Sequence, residues 1–211
     1  MRRLMDLLLF GGERRRTHRD SPPVWRRLFH IIAGSSIPLA GIFLSETTMV
    51  WALVVLAAGG LALDLARFNL PWLNRIFMGL LAPLLKSDEA AHITGATYMI
   101  VAALLVYVLF GKDVAIPAMF FLSLGDPVAA LVGRRMPGPR ILDKSPFGTA
   151  AFMGVGAGAM GVLVAAGGID HDWGLWVGVA VAGAVELASI PPDDNLAVPL
   201  LAGTAMHFLV V

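Results

Sequence analysis

Asp126 stands inside a run of apolar residues, between Gly125 and Pro127. A carboxylate in such a run is costly, normally faces the interior of a helix bundle, and makes a functional site the default expectation. Both neighbours loosen a helix, and backbone freed there can line a polar cavity. Asp126 is thus suited to hold Mg²⁺, which prefers carboxylate and phosphate oxygens. About two helical turns and a loop further on come Arg134, Arg135, Arg140 and Lys144, with Ser145 next. A basic loop of this kind can clamp phosphate. The plainer reading pairs Asp126 with a nearby base for packing and makes the loop bases a topology signal.

Two further constellations carry charge at the ends of apolar runs. Glu186 is embedded late in one run and is followed by Pro191-Pro192-Asp193-Asp194-Asn195. Adjacent carboxylates repel unless a cation neutralises them, so Asp193 and Asp194 are candidate metal ligands. The alternative is a helix N-cap at Asp194 or Asn195. Asp64 and Arg67 close one run, and Asp88 and Glu89 precede the next. They either form a salt bridge between helix ends or put Glu89 into the same cavity as Asp126. His30 follows Arg26-Arg27 at the mouth of the first run, where a lone histidine is commonly a packing or hydrogen-bonding residue. Gly133 to Gly138 has the opening spacing of a P-loop, but Pro139-Arg140 follows instead of Lys-Ser/Thr, and no strand precedes it, so that motif fails. No HExxH zinc motif and no GxSxG nucleophile elbow is present.

The elements that must position these residues are helices in a membrane. Of 211 residues, 57% are hydrophobic and 15% charged, with mean hydropathy +0.76, against about 45–50% and about 25% in a soluble domain. Apolar segments run over about 29–44, 49–66, 93–110, 114–132, 147–166, 173–190 and 196–211. Several fall short of the ~20 residues a span needs, and polar residues at their ends complete the missing turn. The expected fold is all-α: a polytopic bundle of about seven transmembrane helices, with one interfacial amphipathic helix at 70–85 between Pro71 and Pro83. Gly154, Gly156, Gly158 and Gly161 offer small faces for close packing. Residues 1–24 form a basic tail and 25–211 one membrane-embedded catalytic domain. The run 7–10 is too short for a signal-peptide core, and no small-residue cleavage site follows it. Cysteine is absent, so there is no disulfide framework and no thiolate metal site. With seven spans, the tail, the 67–86 connection and the 134–144 loop share a side and hold fifteen of the sixteen Lys and Arg, with Lys112 opposite. The N-terminus and the charged site are therefore expected in the cytoplasm, and the C-terminus on the other side.

The order Gly125-Asp126, Ala129, Gly133-Arg134, Gly138, Lys144-Ser145, Gly148-Thr149 resembles the polyprenol kinase family, which includes dolichol kinases, phytol kinases and CTP-dependent diacylglycerol kinases. Arg26-Arg27-Leu28-Phe29-His30 is similar to its basic pair and histidine. Glu89 with Thr94-Gly95-Ala96-Thr97-Tyr98, and Glu186 with Asp193-Asp194-Asn195-Leu196 and Pro199, resemble its other signatures. The likeness runs from about Arg26 to Pro199. It implies transfer of the terminal phosphate of a nucleotide, with CTP favoured, to the hydroxyl of a membrane lipid alcohol. It implies Mg²⁺ on Asp126, Asp193 and Asp194. Lys144, Arg134 and Arg140 would bind phosphates, assisted by Ser145, Gly148 and Thr149. Glu89 or Glu186 would accept the hydroxyl proton or orient the metal, with His30, Arg67 and Asn195 as further candidates. No nucleic-acid partner is expected.

Two other readings compete. A lipid cytidylyltransferase, making CDP-diacylglycerol from phosphatidate and CTP, also has a Gly-Asp segment before a basic loop. Its signature, however, continues with more charged residues after the lysine, where this chain has Ser145-Pro146-Phe147-Gly148-Thr149. A non-enzymatic transporter or scaffold should show inverted repeats and paired broken helices near mid-membrane; no repeat is evident, and the charges cluster at one face. An apolar pocket discriminates poorly by a methylene or two, so the lipid is not legible.

Overall fold

The structure is a computed structural model. It describes residues 24–85 and 87–209, with Val24, Ser87 and Asp88 described by backbone alone. The basic tail ahead of Val24, Lys86 and the last two residues lie outside the described residues, as does the side chain of Asp88.

Local signals set where each helix starts and stops. α1 spans Val24–Phe43 and α2 spans Glu46–Asn69. Between them Ser45 is extended and caps α2 by accepting the Thr48 N–H at 3.2 Å. Pro71 opens the short α3, Pro71–Leu81, where its missing donor costs nothing. A 3₁₀ turn, Ser87–Ala90, leads to Thr94, which caps α4, Gly95–Phe110, through the Thr97 N–H. α5 spans Lys112–Arg135, α6 Pro146–Ala165, α7 Trp173–Ala188 and α8 Asp194–Leu209. The expected apolar segments and the amphipathic 70–85 segment are all helical, with ends shifted by a few residues.

Three of these helices, α2, α5 and α6, are long and apolar enough to cross a membrane; α4 and α7 are apolar but have 16 residues each. The outside of the bundle is apolar as well. Ile32, Phe43, Trp51, Val55, Val162 and Phe208 are exposed over most of their surface, an arrangement that water-soluble monomers avoid.

α5 is the central strut, packed against α1, α4, α6, α7 and α8. It is buried along most of its length from Val114 to Gly133, as expected of a helix that is apolar all round. It runs unbroken through Pro117 and Pro127. Gly125 on it, and Gly148 on the facing α6, serve close packing, not loosening. A methyl group at Gly125 would stand 2.6 Å from the Phe152 ring on α6, and one at Gly148 would stand 2.7 Å from the Ala129 carbonyl oxygen. Of the four glycines expected to build packing faces on α6, only Gly156 meets neighbours, Phe121 and Val179; Gly154, Gly158 and Gly161 look into open space. α3 buries no residue and packs on α2.

Successive long helices alternate in direction. The starts of α1, α4, α6 and α8 therefore gather with the ends of α2, α5 and α7. Contacts tie this end together, among them Arg26 to Glu89 and Lys144 to both Glu186 and Asp194. At the other end Glu46 accepts the Lys112 N–H at 3.4 Å.

Candidate active site

Lys144 is carried on a tight hairpin. Ile141 and Lys144 exchange both backbone hydrogen bonds at 2.9 Å, and the two residues between them, Leu142 and Asp143, have φ of 49° and 66°. This is the two-residue turn with positive φ at both central positions, which favours Asn, Asp and Gly. Asp143 suits it and Leu142 does not. The hairpin is short and doubly bonded, so it aims the Lys144 side chain back into the bundle.

There the Lys144 Nζ donates to Glu186 Oε1 and Asp194 Oδ2, each at 2.8 Å. Thr149 Oγ1 donates to the other Glu186 oxygen at 2.8 Å. One ammonium thus joins the end of α7 to the start of α8, with α6 supplying the third side. Burial alone would lower the Lys144 pKa, but the charges and hydrogen bonds of Asp194 and Glu186 outweigh it and push it up. Asp194 lies ahead of the apolar run that begins at Leu196. Burial pushes it above the ordinary carboxylate range; Lys144 opposes this, while the like charges of Asp126 and Asp193 add to it. The direction is upward for both partners, by burial for Asp194 and by the two neighbouring acids for Lys144.

Asp193 caps α8. Its Oδ1 accepts the Asn195 N–H at 2.9 Å, and its carbonyl accepts from Leu196 and Ala197. The cap expected at Asp194 or Asn195 thus falls one position earlier. Asp126, half-buried on α5, makes no hydrogen bond or ion pair among the described residues, and it acts on Asp194 as a like charge. Among the described residues no three His, Cys, Asp or Glu side chains stand together as a ready metal cage.

The second half of the site hangs on Arg67, which is fully buried. Its Nε donates to Asp64 at 2.7 Å, its Nη1 to the Glu89 carbonyl at 2.7 Å and to Asn74, and its Nη2 to the His92 carbonyl. The Phe68 and Phe77 rings lie 4.6 and 4.8 Å from the guanidinium. Asp64 takes the Thr94 N–H with its other oxygen. Arg67 therefore clamps the 89–94 connection, and α3 joins the clamp through Asn74. The expected salt bridge between helix ends is instead formed within α2, between Asp64 and Arg67, and Arg67 holds the Glu89 backbone carbonyl. The buried Glu89 Oε1 accepts the Gly95 N–H at 2.9 Å and meets Arg26 Nη2 at 3.6 Å. A methyl at Gly95 would lie 2.8 Å from Asn195 Nδ2, 3.3 Å from Glu89 Oε1 and 3.8 Å from Arg26 Nη2. Gly95 is thus the point where α1, α4 and α8 meet.

The expected phosphate-binding residues divide. Arg140 is exposed and donates to the Gly133 carbonyl at 2.9 Å, capping the end of α5. Thr149 gives its hydroxyl to Glu186, and Gly148 permits the α5–α6 crossing. Ser145 is buried at the α6 N-terminus without a side-chain capping bond. Arg134 bonds the Ala130 carbonyl of its own helix through Nε, and its Nη2 is buried without a partner. His30 Nε2, Arg26 Nη1 and Arg27 Nε are buried without partners too. The partners of Arg26 and Asp64 are not legible in the sequence alone. Two arginines before an apolar run look the same whether they mark the membrane side or point into a site, and the Asp64–Arg67 spacing fits any helical ion pair.

The chain is 28% identical over 115 residues to CTP-dependent diacylglycerol kinase 1 of Saccharomyces cerevisiae, a match over 52% of this chain and 38% of that protein. It is 23% identical over 167 residues to CTP-dependent diacylglycerol kinase 1 of Schizosaccharomyces pombe, over 70% of this chain and 74% of that one. The chain therefore spans well under half the length of the budding-yeast protein. The similarity supports a lipid kinase family. No family model and no solved structure matches the chain.

Proposed function

We propose that this protein is a membrane-embedded lipid-alcohol kinase that moves the terminal phosphate of CTP onto the hydroxyl of a lipid such as diacylglycerol, a polyprenol, phytol or a dolichol-like alcohol. The observation that carries the reading is Asp126: a half-buried carboxylate on the central helix, without a side-chain hydrogen bond or ion pair among the described residues, whose charge is felt at Asp194. The names of the two similar proteins agree with it.

The donor set fits Mg²⁺. It is made of hard carboxylate oxygens, and Asp194 is destabilised as an anion by burial and, to a lesser degree, by the like charges of Asp126 and Asp193. Mg²⁺ commonly takes only one or two carboxylates and completes its shell with water and substrate phosphates, so a ready cage is not required. Asp126 and Asp194 would hold it, with Asp193 as a neighbouring charge whose Oδ1 is already used as a cap. When bound, Mg²⁺ would neutralise the phosphate oxygens and orient them for in-line transfer.

The remaining work belongs to the chain's own groups. Phosphoryl transfer asks chiefly for positioning and charge stabilisation. Lys144 has three N–H donors, two of them on Glu186 and Asp194, which leaves the third for a phosphate oxygen. Ser145, next in the chain and buried at the α6 N-terminus, supplies a further donor. Glu186 is held on both oxygens, so its part is to fix Lys144, not to take a proton. Glu89 turns its Oε1 to the Gly95 N–H and Arg26. Asp126 is the carboxylate with an uncommitted face, and it can accept the hydroxyl proton or hold the metal. The lipid would enter from the apolar exterior with its hydroxyl at the charged end. That end would lie at the cytoplasmic surface of seven spanning helices, with α3 in the interface.

The test incubates purified protein in detergent with Mg²⁺, γ-labelled CTP or ATP, and a panel of lipid alcohols. Label in a lipid phosphate with CDP release is expected. Asp126→Asn should reduce transfer by at least about 10³-fold, the loss expected of a group stabilising transition-state charge, while the protein stays folded. Normal transfer by that variant, or pyrophosphate release with phosphatidate and CTP in place of label transfer, would overturn the reading.

A further inference from the structure

Five buried side-chain nitrogen or oxygen atoms among the described residues lack a hydrogen-bond partner. One is the Tyr107 hydroxyl, which lies toward the Glu46 end. The other four are Arg26 Nη1, Arg27 Nε, His30 Nε2 and Arg134 Nη2, all basic and all at the opposite end. Leaving such a group buried and unpaired is costly, the more so when it is charged.

The same fold satisfies a buried guanidinium where its purpose is structural. Arg67, fully buried, has a carboxylate, three different carbonyl or amide oxygens and two aromatic rings around it. Arg27, by contrast, has no hydrogen bond or ion pair to any described residue. The difference lies between helices of one bundle, so it reflects what each arginine is placed to meet.

The faces of α1 and α5 bring the four bases together. Gly34 of α1 lies against Ser123, Gly41 lies against Ile116 and Tyr107, and Ser35 and Ser123 share a hydrogen bond at 3.0 Å. The two helices are therefore antiparallel. Arg27, His30, Gly34 and Gly41 are spaced by three, four and seven residues, so Arg27 and His30 extend the stripe of α1 that faces α5. At about 1.5 Å per residue, His30 stands level with Pro127 and Arg27 level with Ala130, one turn ahead of Arg134. Arg26 lies beside them and reaches Glu89 and Gly95. Acidic groups near this pole are Glu89, which pairs with Arg26, and Asp126, level with His30.

We propose that Arg27 and His30, flanked by Arg26 and Arg134, form a phosphate-binding subsite walled by α1 and α5, separate from the Lys144 pole. Guanidinium groups converging from two helices suit a tetrahedral dianion with several acceptor oxygens. The subsite rests on unpaired basic donors and not on the kinase reading, although that reading would use it. Two sources share the chemistry: the polyphosphate tail of a nucleotide and the phosphomonoester head of a phospholipid.

The experiment measures binding of inorganic tripolyphosphate and of dioctanoyl phosphatidate to the full chain in detergent with EDTA, for wild type, Arg27→Met and His30→Gln. Wild type binds at least one of the two, and Arg27→Met weakens that binding by 30-fold or more; His30→Gln weakens it less. Loss confined to tripolyphosphate assigns the nucleotide tail, and loss confined to phosphatidate assigns the lipid phosphate. Thermal unfolding without ligand separates this from a structural role: Arg27→Met leaves the midpoint unchanged or raises it, because an unpaired buried charge has been removed. A lowered ligand-free midpoint with unchanged anion affinity, or no binding of either anion by wild type, overturns the proposal. Should Arg27→Met fail to fold, His30→Gln decides: unchanged affinity there overturns the proposal. Absence of phosphate transfer to any lipid alcohol, together with the Arg27 effect on anion binding, would remove the kinase reading and leave the subsite standing.

Discussion

Lys144 illustrates how one side chain can hold three helices and still face a ligand. It pairs with both Glu186 and Asp194. Replacing it with Met leaves Glu186 and Asp194 facing each other with no counter-charge. Because the Lys144 side chain is 26% exposed, the cost is well below the ~3–5 kcal/mol of a fully buried pair, and roughly 1–2 kcal/mol is expected. Thermal unfolding of Lys144→Met should therefore start lower and be restored by millimolar Mg²⁺ or Mn²⁺ more than wild type is. Equal response of the two proteins to the metal would argue against a cation site beside Lys144. Residue types told much of this story in advance: Asp126, Lys144, Glu186 and Asp194 were all legible as charges at the ends of apolar runs. Their partners were not, because which oxygen meets which nitrogen depends on helix rotation. Thr149 and Arg140, expected near phosphate, hydrogen-bond Glu186 and the Gly133 carbonyl at the end of α5, contacts that the sequence does not show.

At the scale of elements, two connections set the geometry. The Ile141–Lys144 hairpin places Leu142 at φ 49°, a left-handed conformation that costs a non-glycine residue about 1 kcal/mol. Leu142→Asn should stabilise the protein by about 0.5–1 kcal/mol and leave Lys144 in place, read as a higher unfolding midpoint with unchanged transfer activity. The 89–94 connection depends on the Arg67 clamp. Arg67→Lys keeps the charge but cannot reach Asp64, Glu89, Asn74 and His92 from one planar group. Unfolding about 3 kcal/mol easier is expected, with Glu89 and Arg26 displaced; a variant as stable as wild type would show that α3 and the connection are held some other way. Helix positions themselves followed from hydrophobic runs and caps. The function of the glycines did not, since Gly125 and Gly148 matter only because α6 crosses α5 there.

For the whole molecule, the chain lacks cysteine, so single cysteines report topology directly. With seven spans, Lys112→Cys and Arg135→Cys lie at opposite ends of α5. A membrane-impermeant maleimide applied from one side of intact vesicles should label one and not the other, and lysis should equalise them. Labelling of both from one side would rule out a spanning α5. The sequence by itself determined that the chain is helical and apolar on its outside, and that its charges lie near the ends of successive runs, because burying or solvating a residue depends on its type and its period along the helix. Only the tertiary structure decided which charges are mutually satisfied and which are left for a ligand. Pairing needs two helices at a given rotation and depth, and neither quantity is written in either helix alone. Arg67 and Arg27 are the same residue type at the edge of an apolar run, yet one is enclosed by the fold and the other is left open by it.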